Sequence, residues 1–309
     1  MTSQAYHIPA LLQPALDALV TDPEGRYADV TFGGGGHSRG ILSRLGPGGK
    51  LYCFDRDTEA IETNAIDDPR VTMINGNFRY IKNYLRYEGV EPGTMQGVLA
   101  DLGVSFHHFD DPARGFSFRF DTPMDMRMNR LGGRTAADLL ASATEEDLAS
   151  WLYNYGQLNG ARRMASAIVK ARAAEPVTTA SRLVDILTPL ISPKQQKKEL
   201  AQAFQALRIV VNDEMAALRN LLNGALEMLA PGGRLAVITY HSLEDRMVKN
   251  FMRTGNVEGR ENKDFYGRSL SPVRMLGSKP VVADEHEVEQ NPRSRSAKLR
   301  VAEKVATNL

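Results

Sequence analysis

Apolar positions along the chain follow two rhythms. Ala28, Val30 and Phe32 alternate with Asp29 and Thr31 as a strand requires, the run breaks into four glycines, Gly33 to Gly36, and apolar residues resume at helical spacing with Ile41, Leu42 and Leu45 before Gly46. The pattern predicts strand, tight loop, helix. Upstream, Leu11, Leu12, Ala15, Leu16 and Leu19 predict a helix over Ile8–Val20, and Asp22-Pro-Glu-Gly25 turns the chain into the first strand. Downstream come a second strand from Lys50 ending at Asp55, a helix over Asp57–Ala65, a third strand from Val71 to Phe78 and a fourth over Gly97–Asp101. Strands that alternate with helices predict a parallel sheet.

The rhythm then changes. Between residues 105 and 205 the period-two signal vanishes, and Thr135-Ala-Ala-Asp138 and Thr144-Glu-Glu-Asp147 are helix-capping sequences. Apolar residues at Leu148, Trp151, Leu152, Met164, Ile168, Leu183 and Leu187 predict a helical module. One stripe from Leu200 to Leu229 predicts a long helical region leading back to the sheet. Pro231-Gly-Gly then turns into a fifth strand, Arg234–Tyr240, and Ser242 with Asp245 forms a capping pair that opens another helix. Residues 255–289 read as long loops with an edge strand near Val281, and Asn291–Lys304 as a basic loop feeding a last strand. The expected organisation is an α/β core over 1–104, an inserted all-helical domain over 105–205 and the rest of the core over 206–309.

Ligands of open parallel sheets sit outside the carboxyl ends of the strands, and four features fall at that edge: Gly33–His37, Asp55, Asn77–Phe78 and Asp101. Glycines let a ligand approach the main chain closely, which suits a nucleotide. A Walker A loop is excluded because no Gly-Lys-Ser/Thr follows, and the dinucleotide fingerprint fits poorly because Ser38 stands where its third glycine belongs. Asp55, about twenty residues past the glycines, is placed to bind ribose hydroxyls in NAD or S-adenosylmethionine alike. Asp101 favours the second, since a carboxylate there can face a methionine ammonium or accept a hydrogen bond from a substrate amine; it can also simply cap a loop. Phe78 suits adenine stacking or a place in the core.

The 309-residue chain carries 38 basic and 37 acidic side chains, so any nucleic-acid contact must come from local patches. Two stretches offer them. Arg114, Phe116, Phe118, Arg119 and Phe120 interleave cations with stacking surfaces, although the same stretch could fold on itself through Arg–Asp pairs; Arg293, Arg295, Lys298 and Arg300 could grip phosphates or form a solvated edge. His107 and His108 beside Asp110 and Asp111 lack a further ligand at metal-binding spacing, so no metal is expected. Cys53, the single cysteine, sits inside the second strand and reads as a small buried hydrophobe. With no leader pattern and no apolar run of membrane length, the expected location is the cytoplasm. Oligomeric state is open, a homodimer included.

Several motifs in order, Thr31-Phe-Gly-Gly-Gly-Gly-His-Ser-Arg39, Phe54-Asp-Arg-Asp57, Asp101-Leu-Gly-Val-Ser105, Arg114-Gly-Phe-Ser-Phe118, Met124-Asp-Met-Arg-Met128, Phe204-Gln-Ala-Leu-Arg-Ile209, His241-Ser-Leu-Glu-Asp245 and Asn291-Pro-Arg-Ser-Arg-Ser296, together resemble the bacterial RsmH/MraW family. The resemblance runs from about His7 to Lys304. It implies a class I, Rossmann-like methyltransferase sheet with a helical insertion after the fourth strand. It implies S-adenosyl-L-methionine-dependent methylation of the exocyclic N4 of a cytidine in 16S ribosomal RNA of the small subunit, in the decoding or P-site region. It further implies cofactor contacts at Gly35, Gly36, His37, Asp55, Phe78, Asp101 and His108. Asp101 is the candidate catalytic residue, and Arg114, Phe116, Phe118, Arg293 and Arg295 are candidate substrate contacts. The alternative reading is a methyltransferase acting on a protein or another RNA.

Overall fold

The computed structural model describes residues 9–103, 114–119, 121–130 and 132–306. In chain order, α1 (Leu12–Leu19) leads to β1 (Arg26–Asp29), and the glycine loop opens α2 (Gly36–Leu42). Then come β2 (Lys50–Asp55), α3 (Thr58–Asn64), β3 (Val71–Asn75), a 3₁₀ turn over Phe78–Tyr80, α4 (Ile81–Tyr87) and β4 (Met95–Asp101). The expected alternation is present, with shorter elements. Helix α3 starts where Asp57 accepts the Glu59 N–H at 3.2 Å, and the third strand stops before Phe78 because Asn77 caps the 3₁₀ turn instead.

The chain divides into two compact units, Val104–Met215 and the remainder. Within the first lie α5 (Ala136–Ser142), α6 (Glu145–Asn154), α7 (Ala161–Ala174), α8 (Ala180–Leu187) and α9 (Gln196–Asn212). Thr135 and Thr144 make full capping boxes with Asp138 and Asp147. Leu140, Leu148, Leu152, Met164, Ile168, Leu183, Phe204 and Leu207 form a core belonging to this unit, and no strand occurs among its described residues. The boundary expected at 205 falls inside α9, whose Leu207 is buried in that core, so the unit closes at Met215 instead.

The long helical region expected from Leu200 to Leu229 consists of two helices. Asp213 takes a left-handed φ of 48° between α9 and α10 (Glu214–Met228), a conformation that costs little for a short polar side chain. Arg208 spans the break with a bidentate pair to Glu214 at 2.8 and 2.9 Å. Buried Asn212 stitches it to the preceding loop, donating to the Met126 and Arg208 carbonyls at 2.7 and 2.9 Å and accepting the Met128 N–H at 2.9 Å.

The sheet resumes with β5 (Leu229–Thr239), α11 (Ser242–Thr254), β6 (Val273–Met275), β7 (Val281–Val282), α12 (Glu285–Gln290) and β8 (Lys298–Lys304). Strand β5 begins earlier than expected: the Pro-Gly-Gly segment lies within it, where the register on β4 shifts between Met95–Leu229 and Gly97–Arg234. His241, not Ser242, caps α11, its ring accepting the Glu244 N–H at 3.4 Å. The strand order is β3-β2-β1-β4-β5-β8-β6, with β7 also on β8; β1 to β5 are parallel and β8 runs antiparallel to β5. This is a Rossmann-like, class I sheet.

Both faces are covered. Val98 and Ala100 pack on the side of α4, α10 and α11, whereas Leu99 between them packs on the side of α1 and α2. The central strands therefore have no solvent face. No helix among the described residues is long and apolar enough to cross a membrane.

Candidate active site

The glycine loop is shaped by side chains that surround it. Asp55, at the end of β2, accepts the Gly33 N–H at 2.8 Å through one carboxylate oxygen and the Asp57 N–H at 2.9 Å through the other. Arg39 donates to the Gly34 carbonyl at 2.8 Å and Asn64 to that of Gly33 at 3.2 Å. Gly33 and Gly35 take φ of 50° and 74°. A Cβ on Gly35 would stand 2.4 Å from Arg39 Nη1 and 2.9 Å from the Phe32 ring, and one on Gly36 would stand 2.3 Å from Pro9 Cγ. Gly34 differs, because a Cβ there meets nothing within 4 Å. Two of the expected cofactor glycines, Gly35 and Gly36, are thus fixed by protein packing, and Gly34 bares main chain to open space.

Beneath the loop lies a buried polar cluster. Asp29 is 1% exposed and accepts the Ser38 hydroxyl at 2.6 Å and the Thr31 N–H at 3.1 Å. His37 Nε2 lies 3.2 Å from the Ala10 carbonyl oxygen, which can only accept, so Nε2 carries a hydrogen. Its Nδ1 lies 3.8 Å from Asp101 Oδ2. The Asp101 N–H donates to Thr31 Oγ1 at 2.7 Å, and its carboxylate accepts the Tyr240 hydroxyl and, at 3.3 Å, the Gly103 N–H. The Glu244 carboxylate holds the Tyr240 N–H at 3.1 Å and stands 3.0 Å from His241 Nε2.

Burial, the largest influence, raises Asp29 and Asp101 above the ordinary carboxylate range, while His37 draws both back down. Burial and the neighbouring Asp101 push Tyr240 upward, which keeps its hydroxyl protonated as a donor. Cys53 is buried, donates to Ser38 Oγ at 3.3 Å and is pushed up to about 12.

These positions bring Gly35, Gly36, His37, Asp55 and Asp101 together at the carboxyl ends of β1, β2 and β4, with half-buried Phe78 after β3. His108 lies outside the described residues. Arg114, Phe116 and Phe118 belong to the helical unit: Arg114 is buried and donates to the Met128 carbonyl at 3.1 Å, Phe116 is buried, and Phe118 meets Phe204 edge-to-face at 5.4 Å. Arg127 pairs with Asp125 at 2.8 Å nearby, so the described part of this stretch folds on itself and offers Phe116 to a core, not to a base. Arg300 is bidentate to Asp245 at 2.7 and 3.1 Å, and Arg293 and Arg295 are exposed on the 3₁₀ turn Pro292–Ser296.

Sequence reasoning missed Asp29, Ser38 and Tyr240. Asp29 lies in a strand covered on both faces, so its carboxylate is buried and must find partners. The donor set fits an S-adenosylmethionine molecule: open main chain at Gly34, a carboxylate for ribose hydroxyls at Asp55, an aromatic at Phe78 and a carboxylate for an ammonium at Asp101.

The model of the MraW methylase family matches residues 4–305. The ribosomal RNA small subunit methyltransferase H of Bacteroides fragilis is 56% identical over 299 residues, covering 97% of each chain. The proteins of the same name from Porphyromonas gingivalis and Flavobacterium johnsoniae are 50% and 48% identical, over 97% and 98% of this chain and 97% and 99% of theirs.

Proposed function

The chain belongs to the MraW methylase family, and from that premise we propose that it transfers the methyl group of S-adenosyl-L-methionine to the exocyclic N4 of a cytidine in 16S ribosomal RNA of the small subunit, in the decoding or P-site region. The observation that carries this reading is the pair of carboxylates, Asp55 and Asp101, ending β2 and β4 on two sides of the glycine loop.

Bound there, the cofactor supplies a methyl group on a positively charged sulfur. The Asp55 carboxylate, oriented by the N–H groups of Gly33 and Asp57, takes the ribose hydroxyls. Phe78 covers one face of the adenine. Asp101 receives the methionine ammonium, and the Tyr240 hydroxyl and the Gly103 N–H fix the carboxylate's direction. An exocyclic amine conjugated to a ring is a weak nucleophile, so the task left to the protein is to hold it in line with the methyl and accept hydrogen bonds from its N–H groups as charge develops.

The RNA needs a cationic surface at the same edge. Strand β8 begins at Lys298 opposite Thr239, the last residue of β5, so the turn carrying Arg293 and Arg295 lies at the carboxyl edge of the parallel strands. These two arginines are the phosphate contacts in this reading. The test is transfer of a tritiated methyl group into small ribosomal subunits, followed by nuclease digestion. Label in N4-methylcytidine is expected; label in ribosomal protein, or in another RNA only, overturns the assignment.

A further inference from the structure

Phe265 is 98% exposed and Tyr266 80%. Scattered apolar side chains on a surface need no explanation, but these two are held outward by a built turn. The Leu270 N–H donates to the Asn262 carbonyl at 2.8 Å, the Asp264 N–H to the Arg268 carbonyl at 2.9 Å, and the Gly267 N–H to the Asp264 carbonyl at 3.0 Å. Inside the turn, one carboxylate oxygen of Asp264 accepts the N–H groups of both Tyr266 and Arg268 at 2.8 Å. Gly267 supplies the φ of 78° that lets the chain return. The two rings meet edge-to-face at 5.7 Å, and the Arg268 guanidinium lies 5.8 Å from the centroid of Tyr266.

The charges at this tip are uneven. Glu261 is answered by Lys263 at 2.8 Å, and Asp264 is occupied by the turn. Among the described residues, no carboxylate lies within ion-pair distance of Arg260 or Arg268. Two flat aromatic faces beside a guanidinium, that of Arg268, with no carboxylate at ion-pair distance are the chemistry that stacks unpaired bases and meets their phosphates. The place is also telling. The segment leads into β6, whose Val273 pairs with Lys304 at the far end of β8, whereas Lys298 at the near end pairs with Thr239 beside the carboxyl edge. The turn is therefore rooted at the sheet edge opposite the glycine loop.

We infer that the 262–270 hairpin is a second RNA contact, remote from methyl transfer, in which Phe265 and Tyr266 stack unpaired bases of the ribosomal RNA and Arg268 meets its backbone. This inference rests on the RNA reading above, and the two fail separately: wild-type methyl transfer tests that reading, and variant binding tests the hairpin.

The experiment measures binding of the full chain to deproteinised 16S ribosomal RNA and to intact small subunits by filter retention, for wild type, the Phe265→Ala/Tyr266→Ala double variant and the Phe265→Trp/Tyr266→Trp double variant. The alanine variant should bind both RNA forms at least tenfold more weakly, a change of about 1.4 kcal/mol. The tryptophan variant should retain wild-type affinity, because an aromatic face is what the site requires. Since the removed side chains are exposed, the melting temperature and the affinity for S-adenosylmethionine should not move. Unchanged RNA binding by the alanine variant overturns the inference. So does weakening seen with intact subunits but not with naked RNA, which would make the tip a contact for a ribosomal protein.

Discussion

His37 Nδ1 lies 3.8 Å from Asp101 Oδ2, joining the first turn of α2 to the end of β4, while its Nε2 hydrogen is committed to the Ala10 carbonyl. A pH dependence follows. Burial raises Asp101 above its ordinary 3.8, so between 3.8 and the raised value the folded protein binds more protons than the unfolded chain. The stability contribution is therefore full below 3.8 and is lost as pH rises through the raised value. Cofactor affinity runs the other way, because an ammonium is held by the ionised carboxylate. Calorimetric titration with S-adenosylhomocysteine, which keeps the ammonium, should weaken as pH falls from neutrality toward 3.8, and Asp101→Asn should flatten that slope. A wild-type affinity independent of pH across this range would refute the assignment.

Two neighbouring glycines should separate folding from binding. Gly35→Ala places a methyl group at a φ of 74° and against Arg39 and Phe32, so it should cost about 1–3 kcal/mol of stability. Gly34→Ala meets open space and should leave stability within about 0.5 kcal/mol of wild type. If the cofactor passes over Gly34, the same variant should nonetheless bind it at least tenfold more weakly. Melting curves and calorimetry on the two proteins decide; unaltered affinity in Gly34→Ala would move the ligand elsewhere.

Asp55→Ala removes the ribose acceptor and the anchor of the Gly33 N–H together. Cofactor binding should fall by about 1–3 kcal/mol, the usual cost of leaving polar groups unpaired. Asp55→Asn keeps an acceptor for Gly33 and should recover part of that loss. Calorimetry giving wild-type affinity for the alanine variant would remove Asp55 from the site.

The sheet and its ligand edge were legible because they rest on local signals: period-two runs, a glycine break, and acids placed just where strands end. Asp55 and Asp101 were found that way. Asp29 was not, because alternation within β1 made it look like an outward residue, and only the helix layers on both faces show that Tyr27, Ala28 and Asp29 are all buried. Arg114 and Phe116 illustrate the opposite error. Composition cannot tell an arginine and aromatic cluster that meets a ligand from one that closes on itself, and the difference lies in long-range contacts such as Phe118 on Phe204. The break at Asp213 was invisible for a similar reason, since the apolar stripe continues through it and the stop is set by Asn212 and Arg208.

Asn212→Ala should destabilise the helical unit. It removes the side chain that donates to the buried Met126 carbonyl and accepts the Met128 N–H, at about 1–3 kcal/mol for the buried group left unpaired. Met126 sits at a φ of 59°, a conformation that needs such support. Denaturant titration followed through Trp151, which packs against this core, should register the loss; an unchanged midpoint would mean that the break is held without Asn212.

The chemistry itself can be tested at two residues that differ in every relevant respect. Cys53 is buried within β2, its thiol donates to Ser38, and it is pushed up to about 12, so almost none of it is thiolate near neutral pH. An enzyme attacking a ring carbon would need such a nucleophile, whereas transfer to the exocyclic nitrogen does not. Cys53→Ala should therefore keep activity within about twofold, with a small stability loss of about 1 kcal/mol from the vacated volume. Asp101 stands at the end of β4 with Tyr240 and Gly103 directing its carboxylate, where the ammonium of the cofactor is to be held. Asp101→Ala should lower methyl transfer on the order of 100-fold, as expected when a positioned electrostatic partner is removed. Tritiated transfer into small subunits, with the labelled nucleoside identified by chromatography, measures both. Label on cytosine C5, or activity lost in the Cys53 variant and retained in the Asp101 variant, would overturn direct transfer to the amine.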